Sequence, residues 1–165
     1  MAGAIDPEML EKLRRGVPLC MARTGELRFD GEPVTHERVR RALREGIDVT
    51  DDGEPIVRLG PQWCYLRVDD LPLRIVGLTR DGDDLSADLD DGRTVRLDPA
   101  TLWEEPQQGL RAEVPSRHGP RRIAARLSNH AAMQLAVWLD EQADPPTLVL
   151  GPRRIPIEDR PPSAA

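Results

Sequence analysis

Apolar side chains recur at helical spacing near the start of the chain. Met9, Leu10 and Leu13 follow an Asp-Pro pair and precede Gly16. An aspartate side chain can cap a helix, proline is preset for the first helical turn, and glycine is common just past the last turn. The pattern predicts a helix over residues 7–15. We expect its apolar stripe to lie on the body of the protein, as an N-terminal flap.

Two later segments with helical spacing each follow a hydroxyl residue. Thr35 precedes the first of them and Gly46 follows it, which predicts a helix over residues 36–45. Ser128 precedes the second, which predicts a helix over residues 129–142. In both segments the hydroxyl oxygen is placed to accept a hydrogen bond from the first backbone N–H groups of the helix.

Short apolar runs between these helices are bounded by glycine, proline and aspartate. Runs of this kind, joined by Asp-Gly or Gly-Pro turns, are typical of antiparallel strands. Residues 73–97 predict a three-stranded meander, and residues 104–120 are expected to be mostly irregular. The predicted strands lie around 19–21 and 27–29, and at 56–59, 63–68, 73–78, 85–89, 94–97, 110–114 and 147–150.

Two heptapeptides in the sequence are alike, PIVRLGP at residues 55–61 and PTLVLGP at residues 146–152. Each follows a predicted helix opened by a hydroxyl residue. The order of cap, helix, strand, Leu-Gly-Pro, strand and acidic turn is the same in both. The repeat therefore predicts a duplicated supersecondary unit, and a seam between two related units is a common place for a binding cleft.

The predicted fold class is α+β, with two related strand-helix-strand-strand units and an antiparallel meander between them. An N-terminal α+β unit with its leading helix is expected over residues 1–72. A C-terminal α+β unit is expected over residues 73–159. Residues 160–165 are expected to form a disordered tail.

The chain carries more acidic than basic residues. Its 165 residues include 23 lysines and arginines and 29 aspartates and glutamates, for a formal net charge of -6 and a pI near 5.1. Broad electrostatic binding to nucleic acid or to an anionic membrane needs a cationic surface, so neither partner is expected. The sequence has no signal-peptide pattern and no apolar run of about 18 residues, so we expect a cytoplasmic protein.

Several runs of the sequence resemble one bacterial family. GELRFDGEPVTHERVRRAL and VRLGPQWCYLRVDDLPLRIVGL resemble domain of unknown function 1285 (DUF1285), and RRIAARLSNHAAMQLAVWL and LVLGPRRIPI are similar to that family's ending. The resemblance covers most of residues 17–157. The family's Thr-Pro-Val-Glu-Lys turn appears here as Gly60-Pro61-Gln62-Trp63-Cys64, so the hydroxyl, the acid and the base of that turn are replaced.

The resemblance implies more than the residue pattern does. It implies two related α+β halves, of which the second is superficially like a pleckstrin-homology fold. It also implies a ligand site at the interface of the halves, for a nucleotide-like molecule, and a role in signalling.

No combination of residues points to catalysis or to a metal centre. His36, His118 and His130 are too scattered to bind one metal ion. The acidic tract from Asp81 to Asp91 does not match the glycine position of an EF-hand loop, and we expect it to form solvated hairpin turns. No serine lies in a nucleophile-elbow context. We therefore expect no enzyme activity, no metal site and no cofactor.

The candidate ligand-binding residues are Trp63, Arg121 and Arg122. Trp63 follows the first Leu-Gly-Pro turn, where an aromatic ring can stack on a ligand. Arg121 and Arg122 belong to a basic tract before the third predicted helix, and guanidinium groups there can bind phosphate.

These residues lead to two hypotheses of function. The first is a non-enzymatic protein that binds a small anionic or nucleotide-like ligand at the interface of its two units, in a signalling role. The alternative is a structural or oligomerising protein-interaction module with no small-molecule ligand. The second hypothesis implies a protein partner instead of a ligand.

Overall fold

The fold combines three α-helices with short strands in several sheets. The structure is a computed structural model that describes residues 5–161. The helices are α1 (Pro7–Gly16), α2 (Glu37–Glu45) and α3 (Asn129–Ala136). The α+β class predicted from the sequence is confirmed.

The strands of the described residues are numbered in chain order. They are β1 (Leu19–Met21), β2 (Leu27–Phe29), β3 (Glu32–Pro33), β4 (Ile47–Val49), β5 (Pro55–Leu59), β6 (Gln62–Tyr65), β7 (Arg67–Val68), β8 (Leu73–Asp81), β9 (Asp84–Leu89), β10 (Thr94–Leu97), β11 (Trp103–Glu105), β12 (Gly109–Pro115), β13 (Arg122–Leu127), β14 (Leu139–Asp140), β15 (Thr147–Leu150), β16 (Arg153–Pro156) and β17 (Glu158–Asp159).

The chain divides into two compact units, Met1–Pro72 and Leu73–Ala165. In the N-terminal unit one sheet has the order β3-β2-β1-β7 and the other the order β4-β5-β6, with α2 between β3 and β4 along the chain. The pair β1·β7 is parallel and the remaining pairs are antiparallel. The core of this unit is made by the buried side chains of Leu19, Met21, Leu27, Leu43, Ile47, Val49, Ile56, Val57 and Leu66.

The C-terminal unit contains a seven-stranded sheet of order β10-β9-β8-β13-β12-β11-β17 and a three-stranded sheet of order β14-β15-β16. The larger sheet curls, because β10 at one end of this order also contacts β12. Helix α3 packs on β8 and β13. The largest fully buried side chains of this unit are those of Leu73, Ile75, Leu85, Leu97, Ile123, Leu135, Leu148 and Leu150.

The two units contain the same arrangement of strands. The series β1-β2-β3-α2-β4-β5-β6-β7 has the same order and pairing as β11-β12-β13-α3-β14-β15-β16-β17, including one parallel pair in each, β1·β7 and β11·β17. The Leu-Gly-Pro segments form matching two-residue hairpins. Their glycines, Gly60 and Gly151, have φ angles of +62° and +58°. The relation between the units that the sequence predicted is therefore present in the fold, where it spans eight elements.

Each unit adds one feature to the shared arrangement. The N-terminal unit adds α1, which packs on β6. The C-terminal unit adds the meander β8-β9-β10, and β8 pairs in parallel with β13. The meander is therefore part of the large sheet of the C-terminal unit.

The third helix is shorter than predicted. The sequence placed it over 129–142, but it ends at Ala136, and Leu139 and Asp140 pair with β15. Leu139 continues the apolar spacing of Leu135, so periodicity alone extends the helix too far. Its start is confirmed, because Ser128 Oγ accepts a hydrogen bond from the backbone N–H of Ala131 at 3.1 Å.

The second helix starts one residue later than predicted. Its N-cap is His36, which makes no side-chain cap hydrogen bond, so the predicted cap by Thr35 is wrong. The strand β4 directly after this helix was not predicted, because three residues with a buried aspartate at the centre show no alternation. In the stretch 104–120, expected to be mostly irregular, the predicted strand at 110–114 is present as β12, and most of β11 was not predicted.

The first helix lies with its apolar stripe outward, which is the reverse of the prediction. Of the three predicted stripe residues, Met9 and Leu13 are 58% and 57% exposed and Leu10 is half-buried, and no residue of α1 is buried. The helix is held instead by its charged face, which contacts β6. Helix α1 therefore packs on the N-terminal unit, as predicted, but it does so through its charged face and not through its apolar stripe.

The predicted disordered tail over residues 160–165 begins with residues that the structure describes. Arg160 donates its backbone N–H to Glu104 O at 2.8 Å, and residues 162–165 lie outside the described residues.

Across residues 5–161, no helix has the length and apolar character needed to cross a membrane.

One buried ion cluster joins the β9-β10 turn to the end of β12. Asp91 accepts hydrogen bonds from Arg93 Nε at 2.8 Å and from the Arg93 backbone N–H at 3.1 Å. Arg93 Nη1 donates to Pro115 O at 2.8 Å, and Arg117 Nη2 donates to Asp91 O at 3.0 Å. The Asp91 side chain is 3% exposed. The expectation of solvated turns is therefore wrong at Asp91, which is structural.

We predict that Asp91→Ala destabilises the C-terminal unit by about 3–5 kcal/mol, because it leaves the Arg93 guanidinium, whose side chain is 16% exposed, without its carboxylate. Urea unfolding measures the change. Glu8→Ala is the control, because the Glu8–Lys12 pair is 77% and 76% exposed and its loss should have little effect. Equal stability of the two variants would contradict the structural role of Asp91.

We also predict that Gly46→Ala destabilises the protein by about 1–3 kcal/mol. A Cβ at Gly46 would lie 2.2 Å from the backbone oxygen of Arg58, which cannot move without disturbing β5. At Gly16, also at a helix end, no atom of residues 5–161 lies within 4 Å of the same added Cβ. Gly16→Ala should therefore leave the free energy of unfolding unchanged or slightly raised, and a similar loss in both variants would contradict the steric explanation.

Candidate functional site

The candidate site is an arginine-lined cleft in the C-terminal unit, with a volume of about 360 Å³. Leu85 and Leu97 contribute to its lining, together with Pro99. The two leucines are directly paired across β9 and β10, and each is 1% exposed. Their side chains are therefore part of the buried core, and regular strands form this part of the cleft.

Three arginines from separate elements line this cleft. Arg96 lies on β10, Arg122 is the first residue of β13, and Arg153 is the first residue of β16. Guanidinium groups bind carboxylate and phosphate oxygens through paired N–H donors. Three of them on one cleft favour an anion as the ligand.

Among residues 5–161, the polar contacts of these arginines involve one nitrogen each. Arg96 Nη2 lies 2.6 Å from Asp84 Oδ1, Arg122 Nε lies 3.7 Å from Glu113 Oε2, and Arg153 Nη1 donates to Asp83 O at 3.4 Å. A guanidinium has five N–H donors. Each group is thus oriented by one contact and retains donors for a ligand.

The two carboxylates that line the cleft have partners inside the protein. Asp84 pairs with Arg96, and Asp98 accepts a hydrogen bond from the backbone N–H of Ala100 at 3.0 Å. Three arginines and two aspartates line the cleft, and the Glu113 carboxylate lies 3.7 Å from Arg122 Nε.

The second Leu-Gly-Pro hairpin places Arg153 at the cleft. It packs closely on the β8-β9 turn, since a Cβ at Gly151 would lie 2.2 Å from Asp83 Oδ1. At Gly60, the equivalent glycine of the N-terminal unit, no atom of the described residues lies within 4 Å of an added Cβ. The hairpin of the C-terminal unit therefore has a packing role that its N-terminal counterpart lacks.

The structure places the three sequence-predicted residues in different surroundings. Arg122 lines the cleft. Arg121, directly before β13, accepts a hydrogen bond through its backbone oxygen from the N–H of Ser116 at 2.8 Å and does not line the cleft. Trp63 belongs to the N-terminal unit, on β6. A joint site of Trp63 with Arg121 and Arg122 stays a prediction.

Trp63 contacts the leading helix and its neighbour on β6. The Arg14 guanidinium lies 3.9 Å from the centre of the Trp63 ring, in a cation–π contact. The Tyr65 ring meets Trp63 edge-on, with centroids 5.3 Å apart and planes at 70°. One face of Trp63 is thus covered by Arg14, so a ligand ring on that face would have to displace Arg14.

The adjacent contacts hold α1 on β6 by charge. Arg15 lies 3.9 Å over the Tyr65 ring and donates two hydrogen bonds of 3.1 Å to the Glu54 carboxylate. Tyr65 Oη donates to Glu11 Oε1 at 2.8 Å. The hydrogen bonds from Arg15 lower the pKa of Glu54. The hydrogen bond to Glu11 raises the pKa of Tyr65, because ionisation would bring a phenolate against a carboxylate.

No three histidine, cysteine, aspartate or glutamate side chains of residues 5–161 lie together in a way that could hold a metal ion. The arginine-lined cleft is therefore the arrangement of the described residues with the clearest binding chemistry.

Comparison with solved structures identifies the fold. A crystal structure of a DUF1285 family protein from Silicibacter pomeroyi DSS-3 superposes with a TM-score of 0.66 at 15% sequence identity, over 95% of this chain and 89% of that chain. A DUF1285 family protein from Shewanella baltica OS155 gives a TM-score of 0.54 at 15% identity, over 69% of this chain and 86% of that chain. The chain has the DUF1285 fold. The resemblance seen in the sequence is confirmed at this level.

No family model matches the sequence, and no curated protein matches it. The likeness of the second unit to a pleckstrin-homology fold stays a prediction.

Arg96 and Arg153, which line the cleft, were not among the site residues predicted from the sequence. Arg96 is one of several polar residues that alternate with apolar ones in the meander, and Arg153 directly follows the second Leu-Gly-Pro turn. The signal available was the alternation of β10, which places Arg96 on the face opposite its neighbours in sequence. No sequence pattern indicates that β10, β13 and β16 meet at one cleft.

We predict that the phenol of Tyr65 titrates above the ordinary tyrosine pKa and that Glu11→Ala lowers this pKa. The chain contains one tyrosine, so ultraviolet absorbance during alkaline titration reports on Tyr65 alone. A raised pKa means that the protonated phenol stabilises the docked helix and that this contribution is lost as pH rises through it. Glu8→Ala is the control and should leave the titration unchanged; an ordinary pKa in the parent protein would contradict the contact.

Proposed function

We propose that this protein is a non-enzymatic member of the DUF1285 family that binds a small anionic, nucleotide-like ligand. The binding site is the cleft of the C-terminal unit, and the role of binding is signalling in the cytoplasm. One observation carries the proposal. Arg96, Arg122 and Arg153, from three separate strands, line one cleft.

The chemistry of the cleft favours a ligand with anionic oxygens, because the arginines suit phosphate or carboxylate groups. The volume of about 360 Å³ lies within the range of small-molecule sites. A nucleotide-like molecule carries such oxygens on its phosphates.

The charged side chains of the cleft suit binding better than catalysis. They are arginines and aspartates. The aspartates already accept hydrogen bonds or ion pairs from Arg96 and from the backbone of Ala100. Recognition of an anion requires none of these groups to change its protonation.

The first test is thermal unfolding against nucleotides and other phosphate-bearing metabolites. A ligand at about 100 times its Kd should add roughly 2.7 kcal/mol of stability. We expect a saturable shift for one class of compound, and we expect Arg122→Ala and Arg153→Ala each to weaken binding about ten-fold or more, because a hydrogen bond to a charged group is lost.

Arg38→Ala is the matched control, because it removes an exposed arginine on α2, outside the cleft. It should leave the shift unchanged. Trp63→Ala separates the cleft from the joint site predicted by the sequence, since the cleft predicts no loss of affinity. A panel without any shift, or equal losses in the Arg38 and Arg122 variants, would contradict the proposal.

The alternative of an oligomerising or protein-interaction module is favoured by a different observation. Helix α1 turns its apolar residues outward, with Met9 and Leu13 more than half exposed. An apolar stripe of this kind is typical of a contact surface.

A further inference from the structure

Helix α1 is attached by one face and exposes the opposite one. Arg14 and Arg15 stack on the aromatic rings of β6, and Glu11 accepts the Tyr65 hydrogen bond. At 100° per residue, Met9 and Leu13 point away from these three positions. The polar contacts thus fix the helix with its apolar stripe in solvent.

The exposed stripe is formed by Met9 and Leu13, one helical turn apart. They are 58% and 57% exposed, and Ile5, just before the helix, is 56% exposed. Glu8 and Lys12 line one flank of the stripe, 3.2 Å from each other and 77% and 76% exposed. The stripe therefore has one acidic and one basic residue on the same side.

We propose that this stripe is a self-association surface, on which α1 of a second copy packs antiparallel. A twofold axis across two antiparallel helices brings the same flank of each helix together. Glu8 of one copy then faces Lys12 of the other, and the reverse pair forms at the same time. In a parallel pair, the flank that carries Glu8 and Lys12 would lie against the other flank of the second helix. Glu8 of one copy and Lys12 of the other would then not face each other.

The same register also allows the apolar side chains to interdigitate. When residue 8 lies level with residue 12 of the other copy, Met9 and Leu13 of the two helices alternate at steps of two residues, or about 3 Å along the axis. The side chains therefore fit between one another instead of meeting head-on. Charge pairing and apolar packing thus select one register.

The association should be weak. A stable interface buries about 1,600 Å² in total, and one short helix from each copy provides less. We therefore expect dimers at high protein concentration and low ionic strength, since salt screens exposed charge pairs. This surface is separate from the proposed ligand cleft, which lies in the C-terminal unit, so either proposal can fail without the other.

Sedimentation equilibrium from about 10 µM to about 1 mM tests the surface. We expect the parent protein to shift from monomer towards dimer and Met9→Lys to stay monomeric. Met133→Lys is the matched control, because Met133 is 73% exposed on α3, and this variant should associate as the parent does. Circular dichroism of each variant confirms that it is folded.

Charge exchange tests the register. Glu8→Lys and Lys12→Glu should each weaken association, and the double variant should restore it. Lys12 is the chain's single lysine, so a zero-length carbodiimide cross-link from this side chain in a dimer should map to Glu8 of the other copy. A protein that is monomeric throughout, association that survives Met9→Lys, or a double variant that does not recover would each overturn the proposal.

Discussion

A parallel pair of strands closes each copy of the repeated arrangement, and the other elements depend on it. The pairs β1·β7 and β11·β17 join the start of each copy to its end. Matching backbone hydrogen bonds extend them, from Asp69 N to Met21 O at 3.0 Å and from Arg160 N to Glu104 O at 2.8 Å. Because the ends are joined, the helix and the Leu-Gly-Pro hairpin between them must fit together closely. The helix end and the hairpin are close at Gly46, whose backbone oxygen accepts a hydrogen bond from Arg58 N at 2.7 Å.

The cleft exists because one copy accepts further strands and the other does not. In the N-terminal unit the equivalent position is β3, a two-residue strand with Pro33 at the edge of its sheet. Proline cannot donate to another strand. In the C-terminal unit β13 has six residues without proline, and it pairs with β8. The meander β8-β9-β10 supplies Arg96, which lines the same cleft as Arg122 of β13. Extension of the sheet at this edge thus adds one of the three arginines of the cleft.

The sequence predicted the elements that depend on local signals. The Asp-Pro start placed α1 at the correct residue, and the Leu-Gly-Pro repeat revealed the duplication. Leu139 was assigned to a helix because its spacing matched, whereas pairing with β15 decided its place. The outward stripe of α1 was also hidden, because periodicity shows that a helix has an apolar face but not what covers it. For the cleft, Arg122 was a candidate from its basic tract, while Arg96 and Arg153 depend on how distant strands meet.

The most direct measurement of the central claim is a titration with inorganic pyrophosphate, followed by nitrogen–proton correlation spectra of the arginine side chains and tryptophan indoles. An anion in the cleft should shift the Nε–H signals of Arg96, Arg122 and Arg153 together and to saturation, while the indole signal of Trp63 stays in place. Shifts confined to Trp63 and Arg14, or no shift among the three cleft arginines, would contradict an anion site in the C-terminal unit.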